Sequence, residues 1–169
     1  MKVLTLLRHA KAVEATISQS DHERPLRERG IRSAIWVGRD TAAQIPDLVL
    51  CSTSARTRES FTALAQGWGK SPPVRYEREL YLADADRLRR RIEQLDAAIG
   101  SVWLIGHNPG LHDLARHLAE GAQGRQGFPG LAAHFPTAAR AAFAIDSGAW
   151  RDFASAPVTL AGFTVPPAA

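Results

Sequence analysis

The apolar residues of this chain form short runs that alternate with longer segments of helical periodicity. The runs predict buried strands, and the segments between them carry apolar residues every three or four positions, as amphipathic helices do. We predict strands at 3–7, 47–52, 74–76, 101–106, 140–146 and 158–165, and helices at 31–45, 61–68, 88–99 and 111–118. This order indicates a mainly parallel central sheet with helices on both faces. The predicted fold class is therefore α/β, a three-layer sandwich.

The segment 121–137 interrupts the alternation of strands and helices. It contains four Gly and two Pro residues, a composition that predicts a long loop and a candidate lid. Elsewhere we find neither an internal repeat nor a linker. We therefore expect a single domain over 1–169.

Composition narrows the class of protein. The chain has 169 residues, of which 45% are hydrophobic and 22% charged, as in globular proteins with a sizeable core. Its apolar runs are too short to cross a bilayer, and the run before Arg8 is too short for a signal peptide. The single cysteine, Cys51, cannot form an internal disulfide, so we expect a buried strand residue in a cytoplasmic protein.

The formal net charge of +4 suits anionic partners, phosphates included. The densest basic run, RLRRR at 87–91, lies in a predicted helix and has no aromatic residues among its arginines. We interpret it as a solvated helix face, because nucleic-acid sites of this kind combine basic residues with stacking aromatic ones. We expect neither nucleic acid nor a membrane as a partner.

Basic and imidazole side chains follow three of the predicted strands. Arg8 and His9 follow the first strand, Arg56 comes shortly after the second, and His107 directly follows the strand at 101–106. In open α/β sheets, ligands bind beyond the carboxyl ends of the strands. The sequence therefore predicts that these side chains meet at one edge of the sheet.

This set of side chains favours an anion over a metal. Arginines repel cations, and the spacings of metal-binding motifs are absent, so we expect no metal and no other cofactor. Guanidinium groups bind phosphate oxygens in pairs, and a neutral imidazole can attack phosphorus. We predict a pocket in which one histidine attacks a phosphoryl group while arginines hold its oxygens.

Three motifs carry a resemblance to a known family. The stretches LLRHA, SxxxRT at 52–57 and GHNPG resemble the histidine phosphatase superfamily, also called phosphoglycerate mutase-like. The stretch DHERPLRERG at 21–30 is similar to the small branch of the SixA phosphohistidine phosphatases. The resemblance covers essentially the whole chain in order. It implies the phosphoglycerate mutase-like fold.

The resemblance also implies roles for single residues. His9 matches the nucleophile that becomes phosphorylated, Arg8 and Arg56 match phosphate-binding arginines, and His107 matches a second pocket histidine that binds the phosphoryl group. Ala10 stands where the family usually has glycine, so the turn here must avoid a positive φ. For Asn108 two roles stay open, orienting a phosphate oxygen or capping the following helix.

The carboxylic acid of larger family members is missing from its expected position. Those members protonate an alkoxide leaving group, but Leu82 aligns with their acid here. Glu79 and Asp21 are the alternative acids. Glu79 is otherwise an exposed residue before a helix, and Asp21 otherwise hydrogen-bonds its loop or pairs with Arg24.

The missing acid bears on the substrate. An alkoxide needs a proton to leave, whereas the imidazole of phosphohistidine departs neutral because its conjugate acid has a pKa of ~6.5. We therefore expect a phosphatase that forms a phosphohistidine intermediate and acts on phosphohistidine of a signalling protein, such as a histidine-containing phosphotransfer domain. The alternatives are a phosphomonoesterase for small phosphoesters and a non-catalytic module that binds a phosphorylated ligand. The intact His9 argues against the binding module.

Overall fold

The computed structural model describes residues 1–123 and 128–168, and a six-stranded sheet forms its centre. The strands are β1 (Lys2–Arg8), β2 (Leu48–Ser52), β3 (Val74–Glu77), β4 (Ser101–Gly106), β5 (Arg140–Ile145) and β6 (Val158–Thr164). Their spatial order is β3-β2-β4-β1-β5-β6. The first four in this order pair in parallel, whereas β5 and β6 join antiparallel at one edge. The predicted α/β fold with a mainly parallel central sheet is confirmed.

Helices cover both faces of the sheet. They are α1 (Glu28–Asp40), α2 (Ala55–Trp68), α3 (Ala85–Glu93), α4 (Gly110–Glu120) and α5 (Phe128–Ala133). The helices α1 and α2 pack on one face, and α3, α4 and α5 contribute to the core on the other. Among the described residues, no helix is both long and apolar enough to cross a membrane.

Alternate residues of the central strands pack into the two hydrophobic cores, one on each face of the sheet. In β4, Val102 and Leu104 face the α3–α4 side, whereas Trp103 and Ile105 face the α1–α2 side. This period of two is the geometry of a strand buried on both faces, and it explains why β4 is apolar throughout. Cys51 is fully buried in the α1–α2 core, where burial raises its pKa to about 12.

Two helices end earlier than their apolar periodicity predicts. The helix α1 stops at Asp40, and the hydroxyl of Thr41 donates a hydrogen bond to the carbonyl oxygen of Val37 at 2.7 Å. The helix α3 stops at Glu93, but Leu95 beyond it remains buried. Residues beyond the last turn of each helix also pack on the core. The apolar pattern therefore continues past the end of the helix.

The prediction of a long loop at 121–137 is wrong in part. The helix α5 occupies Phe128–Ala133, and its Leu131 is fully buried in the core shared with α4. The Pro129 in its first turn was the available signal, because proline fits the start of a helix. Residues 124–127 of the predicted loop lie outside the described residues.

Candidate active site

The two parallel strands β1 and β4 deliver one histidine each to the same edge of the sheet. Arg8, the last residue of β1, lies opposite Gly106, the last residue of β4, so His9 and His107 follow at the same level. The backbone N–H of His9 donates to the carbonyl oxygen of Gly106 at 3.1 Å. The two imidazole centroids lie 5.4 Å apart, and the rings are tilted by 54°.

The ring of His9 is held with one nitrogen free of protons. Its Nδ1 lies 2.7 Å from the carbonyl oxygen of Ala10, which can only accept, so Nδ1 carries the hydrogen. Burial, together with the charges of Arg56 and Arg8, lowers the pKa of His9 to about 3 against the hydrogen bond to Ala10. The imidazole is therefore neutral at neutral pH. Its Nε2 keeps a lone pair, to which Arg56 Nε donates at 3.3 Å.

The turn after His9 accepts an alanine without strain. Among the described residues, only Leu82 and Ala138 combine a side chain with a positive φ, so Ala10 avoids it as predicted. The backbone N–H of Ala10 donates to Ser60 Oγ at 2.9 Å, and that hydroxyl donates to the carbonyl oxygen of Arg56 at 2.6 Å. Ser60 thus fastens the end of β1 to the first turn of α2.

Arg56 binds both His9 and Asp21. It lies in the first turn of α2, is 2% exposed, and donates from Nη1 to the backbone oxygen of Asp21 at 2.7 Å. Its Nη2 donates to the Asp21 carboxylate at 3.0 Å. Arg24 Nε donates to the other carboxylate oxygen at 3.0 Å, so the predicted pairing with Arg24 is present as well. Asp21 therefore lies at the site around His9, to which Arg56 connects it.

Asp21 is nevertheless poorly suited to act as an acid. A hydrogen bond from Tyr81 holds its pKa well below the ordinary value, outweighing desolvation, and Arg56 and Arg24 lower the pKa further. The carboxyl group is therefore ionised at neutral pH. In this arrangement it orients Arg56 and has no proton to give.

A loop with fixed ends carries Asp21. Ala12 and Leu26 form an isolated antiparallel bridge, and Val13 N–H donates to the carbonyl oxygen of Pro25 at 2.9 Å. Between these ties, residues 14–20 are all exposed. The loop therefore reaches the site only near Asp21.

Two polar atoms around His9 are buried and have no hydrogen-bond partner among the described residues. They are His107 Nδ1 and Arg8 Nε. The other ring nitrogen of His107 lies 2.8 Å from Ser52 Oγ, and Arg8 Nη1 donates to the carbonyl oxygen of Phe135 at 3.1 Å. Burying a polar atom without a hydrogen-bond partner costs free energy. The two unpartnered nitrogens therefore indicate a place for a ligand with several hydrogen-bond acceptors.

The electrostatics of the site favour that ligand being an anion. Burial first, and then the neighbouring His9 and Arg56, lower the pKa of His107 to about 3. Burial and the charge of Arg56 also lower the pKa of Arg8. Both groups are therefore poorly solvated, and both lie in the positive field of Arg56. Among the described residues, no three His, Cys, Asp or Glu side chains are grouped to hold a metal ion.

The helix-capping alternative for Asn108 is wrong. The helix α4 begins at Gly110, Pro109 precedes it, and no side chain caps its first turn. Instead, Asn108 Nδ2 donates to the carbonyl oxygen of Phe135 at 2.9 Å, the same oxygen that Arg8 binds. Asn108 Oδ1 is buried and has no hydrogen-bond partner in the part of the chain that the structure describes, so this side chain contributes to the walls of the site.

Glu79, the second alternative acid, lies elsewhere. It lines a groove between β3 and α3 together with arginines of both elements. Leu82, which the resemblance puts at the position of the family's acid, is 54% exposed and has a φ of 52°. The structure therefore brings together Arg8, His9, Asp21, Arg56, His107 and Asn108, and it leaves Glu79 outside the cluster.

The sequence analysis missed Tyr81. Its ring meets the ring of His107 edge-on at a centroid distance of 5.4 Å, and the guanidinium of Arg56 lies 5.8 Å from the same ring. Its hydroxyl donates to Asp21, and His22 packs on it at 4.8 Å. The available signal was its place directly before Leu82.

The segment with Tyr81 is pressed against the start of α4. A Cβ atom at Gly110 would lie 1.9 Å from the carbonyl oxygen of Ala83. Only glycine permits this approach, and it brings the chain that follows Tyr81 onto the helix that follows His107.

Comparison with known proteins identifies the family. Residues 4–97 match the histidine phosphatase superfamily (branch 1). A solved SixA structure from Nakamurella multipartitia is 31% identical, with 99% of this chain and 97% of that chain covered and a TM-score of 0.84. A SixA structure from Agrobacterium tumefaciens is 27% identical, covers 98% of both chains and has a TM-score of 0.80.

A curated relative agrees in length and order. An uncharacterized protein of Mycobacterium tuberculosis is 32% identical over 167 residues, which cover 95% of this chain and 99% of that protein. The family match spans more than half of the chain and includes the strand ends that carry His9 and Arg56. The chain belongs to the histidine phosphatase superfamily, and within branch 1 it is SixA-like.

Proposed function

We propose that this protein removes phosphoryl groups from phosphohistidine of a signalling protein, with His9 as the nucleophile. The observation that carries the proposal is the His9 ring, whose Nδ1 hydrogen is fixed on the Ala10 carbonyl while Nε2 keeps its lone pair. A nucleophile toward phosphorus needs that lone pair, and Arg8, Arg56 and His107 supply the surroundings that a phosphoryl group needs.

In the first step, His9 Nε2 forms a bond to phosphorus as the bond to the substrate nitrogen breaks. The leaving imidazole, which carries a hydrogen on its other ring nitrogen, takes the electron pair of the broken P–N bond and departs as neutral imidazole. Arg56 Nε, which donates to Nε2 before substrate arrives, is placed to turn its donor to a phosphoryl oxygen. Arg8 Nε, buried without a partner, provides a second donor.

In the second step, water attacks phosphorus, and the bond to His9 Nε2 breaks to release phosphate. His107 Nδ1 is a donor toward phosphoryl oxygen when the Ser52 hydroxyl donates to Nε2 of the same ring. Donors aimed at the equatorial oxygens stabilise the charge that they carry in both transition states. The cycle returns His9 to its neutral form.

The choice of substrate rests on the leaving group. Leu82 replaces the acid of larger family members, Asp21 is ionised, and Glu79 lies outside the site. Imidazole leaves without a donated proton, whereas an alkoxide does not. The two SixA structures described above, at 31% and 27% identity, carry the name of phosphohistidine phosphatases and support the same substrate class.

The test compares three substrates with the intact protein: a phosphorylated histidine-containing phosphotransfer domain, para-nitrophenyl phosphate and an alkyl phosphate. We expect turnover of the phosphoprotein and of the activated ester, and at least ~10²-fold slower turnover of the alkyl ester. An acid-labile, base-stable phosphoryl label should form on the enzyme and be absent in His9→Ala. Undiminished turnover in His9→Ala would refute the mechanism, and preference for the alkyl phosphate would refute the substrate class.

A further inference from the structure

A groove rich in arginine opens between the edge strand β3 and the helix α3. Its volume is about 720 Å³, and it is separate from the cluster around His9. The residues that matter here are Arg75 and Glu77 of β3, Glu79 after it, and Arg87, Arg90 and Arg91 of α3. We call it the β3–α3 groove.

Two arginines of the groove are left without a carboxylate. Glu77 binds Arg91 through two contacts of 2.6 Å, and Arg90 lies 3.5 Å from Asp86. Among the described residues, no ion pair involves Arg75 or Arg87. Exposed cations that no described carboxylate neutralises are available to an anionic partner.

The groove lies within reach of a protein that occupies the active site. Strand β3 ends at the same edge of the sheet as β1, three strand spacings away, which is ~14 Å. A standard protein interface covers ~800 Å² of each partner, equivalent to a disc ~16 Å in radius. A protein whose phosphohistidine meets His9 is therefore large enough to extend to the β3–α3 groove.

We propose that the β3–α3 groove docks an acidic segment of the phosphoprotein substrate through Arg75 and Arg87. This inference rests on the proposed function, because it assumes that the phosphoryl group arrives on a protein. The segment carries carboxylates opposite the two free arginines. Such charge complementarity selects partners and speeds their association more than it adds affinity.

The charge pattern of the groove favours a protein over a nucleic acid. Glu77 and Glu79 line the same groove as the arginines. A nucleic acid presents phosphates along its whole length and would meet both carboxylates. A protein segment can place acidic and neutral residues at chosen positions, so it fits a groove of mixed charge.

The experiment uses two synthetic peptides with a central phosphohistidine. One carries Glu and the other Lys at four to six residues from the phosphohistidine, because an extended chain of that length spans roughly 14–20 Å. For the unaltered protein we expect kcat/KM to be about three- to tenfold higher for the Glu peptide. In Arg75→Glu/Arg87→Glu the preference should reverse, and added salt should reduce it in both proteins.

The control variant is Arg39→Glu, which reverses an exposed arginine of α1 on the opposite face of the sheet. It should keep the preference of the unaltered protein. Turnover of para-nitrophenyl phosphate reports that each variant is folded and that its active site is intact. An unchanged preference in the double variant, with that turnover retained, overturns the docking proposal and leaves the proposed function standing.

Direct binding separates the two proposals further. Fluorescence anisotropy with the unphosphorylated Glu peptide measures the groove without any chemistry, and the double variant should bind it about three- to tenfold more weakly. If no phosphohistidine peptide is hydrolysed, the proposed function fails. The anisotropy measurement still tests whether the groove binds the acidic peptide. Tighter binding of a single-stranded oligonucleotide that the double variant loses would overturn the protein partner in favour of nucleic acid.

Discussion

The imidazoles of His9 and His107 lie 5.4 Å apart, and the pKa of each is lowered to about 3. Burial is the main cause for both, and each ring also lies in the positive field of Arg56. Two neutral imidazoles can lie this close, whereas two imidazolium ions would repel. Burial and the charge of Arg56 therefore keep His9, the proposed nucleophile, unprotonated.

The neutral pair predicts an unusual titration. Because burial disfavours the charged form, both rings should stay neutral from pH 8 down to about pH 5, well below the ordinary histidine pKa of ~6.5. The measurement is NMR of the imidazole carbons, assigned with His9→Ala and His107→Ala, with free imidazole in the same tube as the reference. A sigmoidal shift of either ring centred near pH 6.5 would contradict the prediction.

Asp21→Asn tests whether the carboxylate is an acid. Since the lowered pKa keeps Asp21 ionised, removing its charge should disturb the orientation of Arg56 and the contacts with Arg24 and Tyr81, but no proton transfer should be lost. We expect kcat/KM to fall by a similar factor, up to about tenfold, for esters with good and poor leaving groups alike. A true general acid would instead cost ~10²–10⁴-fold for the poor leaving group alone. Tyr81→Phe, which removes one donor to Asp21, is the matched comparison.

Ser52→Ala should slow the chemistry without preventing binding. The variant leaves Nε2 of His107 without its hydrogen-bond partner, which frees the ring to change tautomer and orientation. We expect about a tenfold decrease in kcat with a smaller change in KM. Single-turnover kinetics with para-nitrophenyl phosphate would show it. Ser147→Ala, which removes a hydroxyl bonded to the Ala149 carbonyl, should leave kcat unchanged.

Gly110→Ala should destabilise the protein and disturb the site together. The new Cβ would overlap the Ala83 carbonyl, and relieving that overlap must shift the chain near Tyr81. We expect a loss of about 1–3 kcal/mol in the free energy of unfolding, seen as a Tm lower by roughly 3–10 °C, together with reduced kcat.

Gly148→Ala supplies the control for that substitution. Apart from its two chain neighbours, no described residue has an atom within 4 Å of a Cβ built at Gly148. Its Tm should therefore stay within about 2 °C of that of the unaltered protein. Equal Tm values for the two variants would show that the contact with Ala83 is readily relieved.

The part of the fold that could be predicted from the sequence follows from strand burial. The apolar run of β4 and the polar residues directly after it place His107 at the sheet edge without any knowledge of the fold in detail. The antiparallel addition of β5 and β6 could not be inferred in the same way. The direction of β5 depends on the connection that leads from β4 through α4 and α5. In that connection α5 has only six residues.

The predictable part of the site likewise consists of side chains at strand ends. Phe135 carries no signal, because its contribution is a backbone oxygen that accepts from Arg8 and Asn108. The position of Asn108 before a helix favoured a capping role, but its side chain binds the Phe135 carbonyl oxygen instead. Glu79 and Tyr81 are two residues apart and face different places, a distinction set by the turn at Arg78–Leu80.

The loop that carries Asp21 combines fixed ends with an exposed middle. Its ends are fixed by the bridge between Ala12 and Leu26, and Asp21 is held by Arg56 and Arg24. Residues 14–20 between these fixed points are all exposed, and Ile17 among them is fully so. We therefore expect insertions and substitutions there to leave the side chains around His9 in place. The protein can therefore acquire new partners at this rim while its reaction stays the same.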